Sequence, residues 1–162
     1  MVGSGGQGGI RVLHGLALIL TALTLVPLGA HLFALPNKIG LPAEAYLVAQ
    51  GLYRGWWMFG LVQVPAMLVA LLLAEALRRA EKPFWLALAA GLLLALTLAI
   101  FFTFTQPANV ATGQWTSLPA NWQVLRLRWE WSHAASAVLA FGALCCLVLS
   151  VPFPEPRGRL RP

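Results

Sequence analysis

Four long apolar blocks, separated by short polar connections, constrain this chain more than any other feature of its sequence. A helix that crosses a bilayer needs about 20 apolar residues, and the blocks occupy about residues 10–35, 47–77, 84–105 and 129–151. Of all residues, 59% are hydrophobic and only 10% are charged, which excludes an ordinary soluble globule. The sequence therefore predicts an all-α fold, a single four-helix transmembrane bundle over residues 10–151.

The segments beside the blocks predict where the helices begin and end. Residues 1–9 are rich in glycine and are expected to form a flexible leader, and residues 152–162 are expected to form a disordered basic tail. No convincing cleavage site follows the first block, so we expect a retained helix that is kinked at Pro27. The last helix should begin near Pro119, with Ser117 as its N-terminal cap.

The basic residues predict the orientation of the bundle, because Lys and Arg favour the cytoplasmic ends of spans. Seven lie on the side of the termini: Arg11, Arg78, Arg79, Lys82, Arg157, Arg159 and Arg161. Four lie on the opposite side: Lys38, Arg54, Arg126 and Arg128. We therefore expect a multi-pass protein of a bacterial inner membrane with both termini in the cytoplasm. The net charge of +6 does not indicate nucleic-acid binding, because no basic face is interleaved with aromatic residues.

Polar residues of all four blocks are predicted to reach one common level. At about 1.5 Å of rise per residue, His31, Arg54 and His133 lie about 27–36 Å from the cytoplasmic ends of their helices. Glu130, Gln50, Gln106 and Asn109 are expected near the same level. Polar groups at membrane depth tend to mark a site, which predicts a polar and aromatic pocket at the outer end. An aromatic belt at the membrane boundary is the alternative interpretation, and the residues concerned are Trp115, Trp122, Trp129 and Trp131.

Two cofactor interpretations follow from the histidines, although no cofactor is expected. Glu130 and His133 lie three apart on one helix face, and His31 would complete the ligand set of a mononuclear non-haem iron site. His31 and His133 could instead hold a haem. Against both, Arg126 lies four residues before Glu130 and could simply pair with it.

Two stretches resemble the anthrone oxygenase-like family of small four-helix membrane proteins. They are FTFTQPANVATGQWTSLPANWQVLRLRWEWSHAASAVL, which begins at Phe102, and HLFALPNKIGLPAEAYLVAQGLYRGWWMFG, which begins at His31. By resemblance, the motif positions are His31, Asn37, Asn109, Trp122, Arg126, Trp129, Glu130 and His133. The chain departs from the family pattern at Trp131, where bacterial relatives often have Tyr, and in having no arginine directly after His133.

The resemblance implies oxidation of a tricyclic anthrone to an anthraquinone by molecular oxygen. His133, oriented by Glu130, would be the base, because imidazole titrates near neutral pH. Arg54 or Arg126 would stabilise the developing oxyanion, and His31 completes the candidate catalytic set. The candidate substrate-binding residues are Asn37, Gln50, Asn109, Trp115, Trp122 and Trp129.

A non-catalytic function stays open beside this one. A membrane subunit that binds a lipid, a quinone or a partner helix would also have small residues for close helix packing, such as those of Gly51-x-x-x-Gly55. The expected partners are therefore membrane lipid and a hydrophobic small molecule, and a homo-oligomer remains an open alternative.

Overall fold

The computed structural model describes residues 4–151, with side chains from residue 7 onward. The predicted tail and the first three residues of the leader lie outside the described residues. Within them the chain is all-helical. The helices are α1 (Ser4–Lys38), α2 (Ala43–Gly51), α3 (Gly60–Ala76), α4 (Glu81–Ile100), α5 (Gln106–Ala111) and α6 (Trp122–Leu149), with a 3-10 turn at Trp56–Phe59 and a π-helical turn at Phe101–Thr105.

Four continuous helical segments are long and apolar enough to cross a membrane: Gln7–Lys38, Trp56–Ala76, Glu81–Ala111 and Trp122–Leu149. They pack in a ring in which α1 and α4 each contact both α3 and α6. This arrangement confirms the predicted all-helical bundle of four apolar helices and indicates a multi-pass membrane protein.

The first helix is longer than predicted at both ends. It begins at Ser4, so residues 4–9 of the expected flexible leader are helical. Glycine lowers the stability of a helix, but the apolar block has already nucleated this one. Extending it by a few residues into the glycine-rich segment therefore costs little free energy per residue. The same helix continues through Pro36 to Lys38, which carries the Lys38 side chain into the bundle.

The predicted second block, residues 47–77, is too long for one straight span, so we expect its first turns to stand clear of the hydrocarbon or to tilt, and they are not part of the membrane-length segment. The chain instead forms the short helix α2, turns, and enters the membrane-length segment at Trp56. Gly55 has φ of 88°, in the left-handed region that glycine adopts without steric cost. This turn separates α2 from α3, and α2 lies at one end of the bundle with Tyr46 and Gln50 buried.

The third and fourth helices also differ from their predicted bounds. The third helix continues through the π-helical turn and α5 to Ala111, although Pro107 has no backbone N–H to donate. The fourth helix begins at Trp122 with Asn121 at its cap position and no side-chain capping bond. Ser117 is not the cap, since its hydroxyl donates to the carbonyl of Thr112.

The two ends of the bundle differ in chemistry. At the terminal end, His14 Nε2 lies 2.9 Å from Ser150 Oγ and joins the start of α1 to the end of α6. Beyond it lies an aliphatic core of Ala and Leu side chains. At the opposite end, which we call the site end, the packed residues are aromatic and polar, among them Tyr46, Trp115 and Trp129. Both ends of the described chain thus lie at one end of the bundle.

Candidate functional site

A cavity of about 670 Å³ opens at the site end, between the four long helices and beneath the turn that follows α2. It brings together seven of the candidate residues: His31, Gln50, Arg54, Asn109, Trp115, Trp129 and His133. The size suits a drug-sized or smaller ligand. The predicted convergence of polar groups from all four apolar blocks at one end is therefore present.

The centre of the cavity wall is a pair of stacked histidines. The ring centroids of His31 and His133 are 4.2 Å apart, and their planes are inclined by 33°. Trp129 lies edge-on against both rings, and Tyr53 lies 4.2 Å from His31. His31 Nδ1 is buried with no hydrogen-bond partner. Neither nitrogen of His133 bonds to any other described residue, so two imidazoles without protein hydrogen-bond partners line the cavity.

Behind this wall lies a buried ion pair that the sequence interpretation missed. Lys38 Nζ is 3.1 Å from Glu130 Oε1, and both side chains are almost inaccessible, at 6% and 0%. Tyr46 donates a hydrogen bond of 2.9 Å to the same carboxylate oxygen, and Gln50 donates one of 2.9 Å to the Tyr46 hydroxyl. Lys38 follows His31 by seven residues, a spacing that places both on one helix face. That spacing is the signal that could have identified Lys38.

The expected orientation of His133 by Glu130 is not formed. The Glu130 carboxylate is bound by Lys38 and Tyr46, and Glu130 does not line the cavity. Although Glu130 is only three residues before His133 on α6, its carboxylate instead meets the Lys38 ammonium of α1 and the Tyr46 hydroxyl of α2.

Arg126 is also outside the cavity, so the structure does not bring it to the position expected for oxyanion stabilisation. Its Nη1 donates a 2.7 Å hydrogen bond to the carbonyl of Leu41, and its guanidinium stacks 4.7 Å from Trp122. No direct bond joins it to Glu130 within the part of the chain that the structure describes. Arg54 is exposed and lines the rim of the cavity, so of the two arginines expected to stabilise an oxyanion it is the one that the structure places at the cavity.

Two of the expected substrate-binding residues lie elsewhere. Asn37 is exposed on α1 and does not line the cavity. Trp122 packs against Tyr46, with the two ring centroids 6.0 Å apart. Asn37 is on an exposed face of α1, whereas Trp122 shares a face of α6 with Trp129 but lies seven residues, about 10 Å, nearer the start of that helix.

The tryptophans divide between the two interpretations offered by the sequence. Trp115 and Trp129 are buried in the site, because Asn109 Oδ1 accepts hydrogen bonds from both indoles, at 3.1 and 2.8 Å. Trp131 is 61% exposed on the outer surface of α6, as an aromatic belt requires. The family departure at Trp131 therefore does not fall on the cavity wall.

The backbone is strained at two residues that line the cavity. Gln114 and Trp115 have φ of 59° and 60°, a left-handed conformation that is uncommon outside glycine. Both line the cavity, and Trp115 is held there by its bond to Asn109 and by a bond from its amide to Thr112 Oγ1. Strained residues of this kind persist only where their surroundings hold them, often at ligand sites.

The inner end of the cavity is polar, which the sequence interpretation also missed. Thr24, Gln63, Thr97 and Ser136 lie there, one from each of the four long helices. Gln63 Nε2 donates to Thr97 Oγ1, which donates to the carbonyl of Leu94. These residues are isolated polar positions within otherwise apolar blocks, and that pattern could have identified them in the sequence.

The two cofactor interpretations depend on where His31, His133 and Glu130 lie. Among the described residues, no three His, Cys, Asp or Glu side chains are grouped closely enough to hold a metal ion. Two histidines that ligate opposite faces of a haem have the iron between them, whereas His31 and His133 are in ring-to-ring contact. The donor set present is therefore an imidazole pair without a carboxylate.

Two phenols outside the apolar segments remain in their protonated form. Burial, and then the nearby Glu130 carboxylate, raises the pKa of Tyr46 far above its ordinary value. Burial and the same carboxylate also raise the pKa of Tyr53. A protonated Tyr46 can donate to Glu130 throughout the physiological range.

Fold and site together define a class: an all-helical protein with four membrane-length helices and a polar-aromatic cavity at one end. Comparison of the chain with protein-family models, curated proteins and solved structures finds no match.

Proposed function

We propose that this protein oxidises a planar aromatic small molecule of the anthrone type with molecular oxygen, inside the cavity at the site end. The observation that carries the proposal is the stacked His31–His133 pair, which lines a cavity walled by aromatic rings and makes no hydrogen bond to another described residue. The resemblance of the His31 and Phe102 stretches to anthrone oxygenase-like proteins supports the same chemistry.

The reaction needs a base, an oxyanion partner and oxygen. His133 removes a proton from the ring carbon opposite the anthrone carbonyl, and the resulting enolate places negative charge on the carbonyl oxygen. Molecular oxygen adds to that carbon as the enolate gives up its electrons, and the peroxide takes the proton back from the imidazolium. Loss of water, which carries away the second hydrogen of that carbon, gives the quinone. One substrate and one oxygen molecule thus become one quinone and one water.

Two cations support the enolate in this proposal. Arg54 lies on the rim of the cavity, where its guanidinium can meet a carbonyl oxygen directly. The Lys38 ammonium lies 4.5 Å from the ring centroid of Tyr53 and 4.8 Å from that of Trp129, both of which line the cavity. Lys38 does not line the cavity itself, so it acts on the substrate only through the rings of Tyr53 and Trp129. Together with its ion pair to Glu130, this makes Lys38 a positioning residue.

The membrane placement is part of the proposal. The excess of basic residues beside the termini supports cytoplasmic termini and a cavity on the outer side of a bacterial inner membrane. Lipid is then the surrounding partner, and an apolar substrate reaches the cavity without leaving the membrane phase.

The test is turnover of anthrone by detergent-purified protein, followed by oxygen consumption and by quinone absorbance above the spontaneous rate. We expect His133→Ala to lower the rate by about a hundredfold or more, as loss of a general base does. The matched control is His14→Gln, a histidine at the terminal end, hydrogen-bonded to Ser150 and away from the cavity. Full turnover by the His133 variant would refute the proposed base.

A second candidate, a non-catalytic binding subunit, is favoured by one specific observation. Glu130, the residue expected to orient His133, is engaged by Lys38 and Tyr46 and so does not orient that imidazole as a base. Tight binding of anthraquinone without any turnover of anthrone would assign the cavity to this function.

A further inference from the structure

Asn109 is a residue of the cavity wall whose side-chain amide has one fixed orientation. It lies on α5, is half-buried and lines the cavity. Its Oδ1 accepts the indole N–H of Trp115 at 3.1 Å and that of Trp129 at 2.8 Å. A flipped amide would turn its own N–H groups towards two other donors, so the two indoles determine which end of the amide is oxygen.

The hydrogen bonds of Asn109 also determine what its amide can still bind. A carbonyl oxygen has two acceptor positions, and the two indoles occupy both of them at Oδ1. The Nδ2 nitrogen carries two N–H donors, which make no hydrogen bond to any other residue in the described range 7–151, and it is not enclosed by protein. The capacity that remains is therefore for donation only, and it selects a ligand atom that accepts, such as a carbonyl oxygen.

The strained backbone beside α5 holds this arrangement in place before any ligand binds. Trp115 has φ of 60°, and its backbone amide donates a 3.1 Å hydrogen bond to Thr112 Oγ1. The backbone amide of Gln114 donates one of 2.7 Å to the carbonyl of Asn109. These bonds tie the strained segment to the helix that carries the amide. A donor that is already in position needs no reorganisation when negative charge develops on a ligand, which makes it effective in stabilising an oxyanion.

Trp129 connects the amide of Asn109 to the proposed base. Its indole N–H bonds to Asn109, and its ring lies 4.2 Å from the ring of His133, centroid to centroid. Because one indole contacts both side chains, the amide and the imidazole are separated by no more than that indole and its two contacts. In an anthrone, the carbon that loses its proton and the carbonyl oxygen lie at opposite ends of the middle ring. A base and a donor with this separation can therefore serve the two ends of one ring.

We propose that Asn109 is a further catalytic residue: its amide N–H donates to the carbonyl oxygen of the bound ring system and stabilises the negative charge that this oxygen gains in the enolate. This inference rests on the proposed function, because the enolate forms when His133 removes the proton. The electron pair of the broken C–H bond moves through the ring to the oxygen, and the N–H bond of Asn109 stays intact. Since a carbonyl oxygen can accept two hydrogen bonds, Asn109 and Arg54 do not compete for it.

The first experiment observes a bound carbonyl directly, with anthraquinone as the probe. Infrared spectra of the detergent-purified protein are recorded with anthraquinone that does or does not carry a heavy-oxygen label at its carbonyls. The difference between the two spectra cancels the amide bands of the protein. A hydrogen bond lowers the stretching frequency of the carbonyl that accepts it. We therefore expect one carbonyl band to lie at lower frequency than that of anthraquinone in the same detergent without protein.

Asn109→Asp should abolish this shift. At about pH 8 an Asp side chain of ordinary pKa is ionised; its carboxylate still accepts both indole N–H groups but has no N–H to donate. The variant thus separates donation to the ligand from the positioning of the two tryptophans. The matched control is Asn121→Asp, the same change at an exposed residue directly before α6 and outside the cavity, which should keep the shift. Unfolding in SDS, followed by helical circular dichroism, checks that both variants are folded.

The second experiment measures anthrone turnover by the same three proteins. Loss of one oxyanion donor typically lowers kcat by about a hundred- to a thousandfold. We expect a fall of this size for Asn109→Asp with little change in KM, because the hydrogen bond strengthens only as charge develops on the oxygen. Asn121→Asp should turn over anthrone at the rate of the unmodified protein.

The outcomes separate the inference from the proposed function. An unshifted carbonyl in the unmodified protein, a shift that survives Asn109→Asp, or an undiminished kcat in that variant would overturn the role of Asn109, while turnover by the unmodified protein keeps the proposed function intact. A shift that depends on Asn109 without any turnover of anthrone would overturn the proposed oxidation and leave Asn109 as the carbonyl donor of a binding site. Failure of anthraquinone to bind would overturn both proposals.

Discussion

The buried ion pair between Lys38 and Glu130 provides the sharpest test of the site's architecture. Lys38→Met leaves the Glu130 carboxylate inside the bundle with Tyr46 as its remaining hydrogen-bond donor. Removing one partner of a buried ion pair typically costs about 3–5 kcal/mol, because the other charge stays uncompensated. We therefore expect the free energy of unfolding to fall by about that amount.

The double variant Lys38→Met with Glu130→Gln should restore most of the lost stability. Glutamine keeps an oxygen that accepts the Tyr46 hydrogen bond, and no buried charge remains. Replacement of a whole buried pair is often neutral or even stabilising. The two effects are thus strongly non-additive, which a double-mutant cycle reveals.

The assay is equilibrium unfolding of the purified protein from mild detergent into increasing SDS, followed by helical circular dichroism. The chain contains its own control in the ion pair of Glu75 and Arg78, whose side chains are 65% and 62% exposed. Glu75→Gln should change the unfolding free energy by no more than about 1 kcal/mol. A Lys38→Met effect as small as this control, or additivity in the cycle, would refute the claim that the pair is buried and coupled.

Two further predictions concern packing and pH. Gly91→Ala should destabilise the bundle by about 1–3 kcal/mol, because a Cβ at this position would lie 2.5 Å from Leu71 Cδ2. Gly15→Ala is the control and should not destabilise the bundle, because a Cβ there would have no atom within 4 Å. The same SDS titration compares the two variants. Burial raises the pKa of Tyr46 in the folded state above its ordinary value of 10.0, so above pH 10 the unfolded chain loses this proton first. Unfolding free energy should then fall as pH rises, by up to about 1.4 kcal/mol per pH unit for this group, and Tyr46→Phe should show a shallower decline. An equal slope in the two proteins would contradict the assignment.

The apolar blocks predicted the helical class and the number of membrane-length helices, because backbone groups in lipid must be satisfied within each segment. Helix ends were predicted less well. The turn at Gly55 and the π-helical turn before Pro107 depend on local backbone geometry that hydropathy does not report. As a result, the predicted second block began within α2, which the structure places at the site end as a separate short helix.

Depth within the bundle could be calculated from the sequence, since every residue of a helix adds a constant rise. This explains why His31 and His133, a hundred residues apart in the chain, were correctly expected at one level and are now found in ring contact. Rotation about the helix axis could not be calculated in the same way. Asn37 and Lys38 are adjacent and share a depth, yet only Lys38 points into the bundle.

The sequence alone determined that four helices bring polar groups to one end, because length and hydropathy are properties of each segment separately. The tertiary structure decided which of those groups meet. Glu130 has its carboxylate bound by Lys38 and Tyr46, which belong to two other helices, and so cannot orient His133 on its own helix. Partner choice depends on how neighbouring helices are rotated and packed, and that information is present only when all four are assembled.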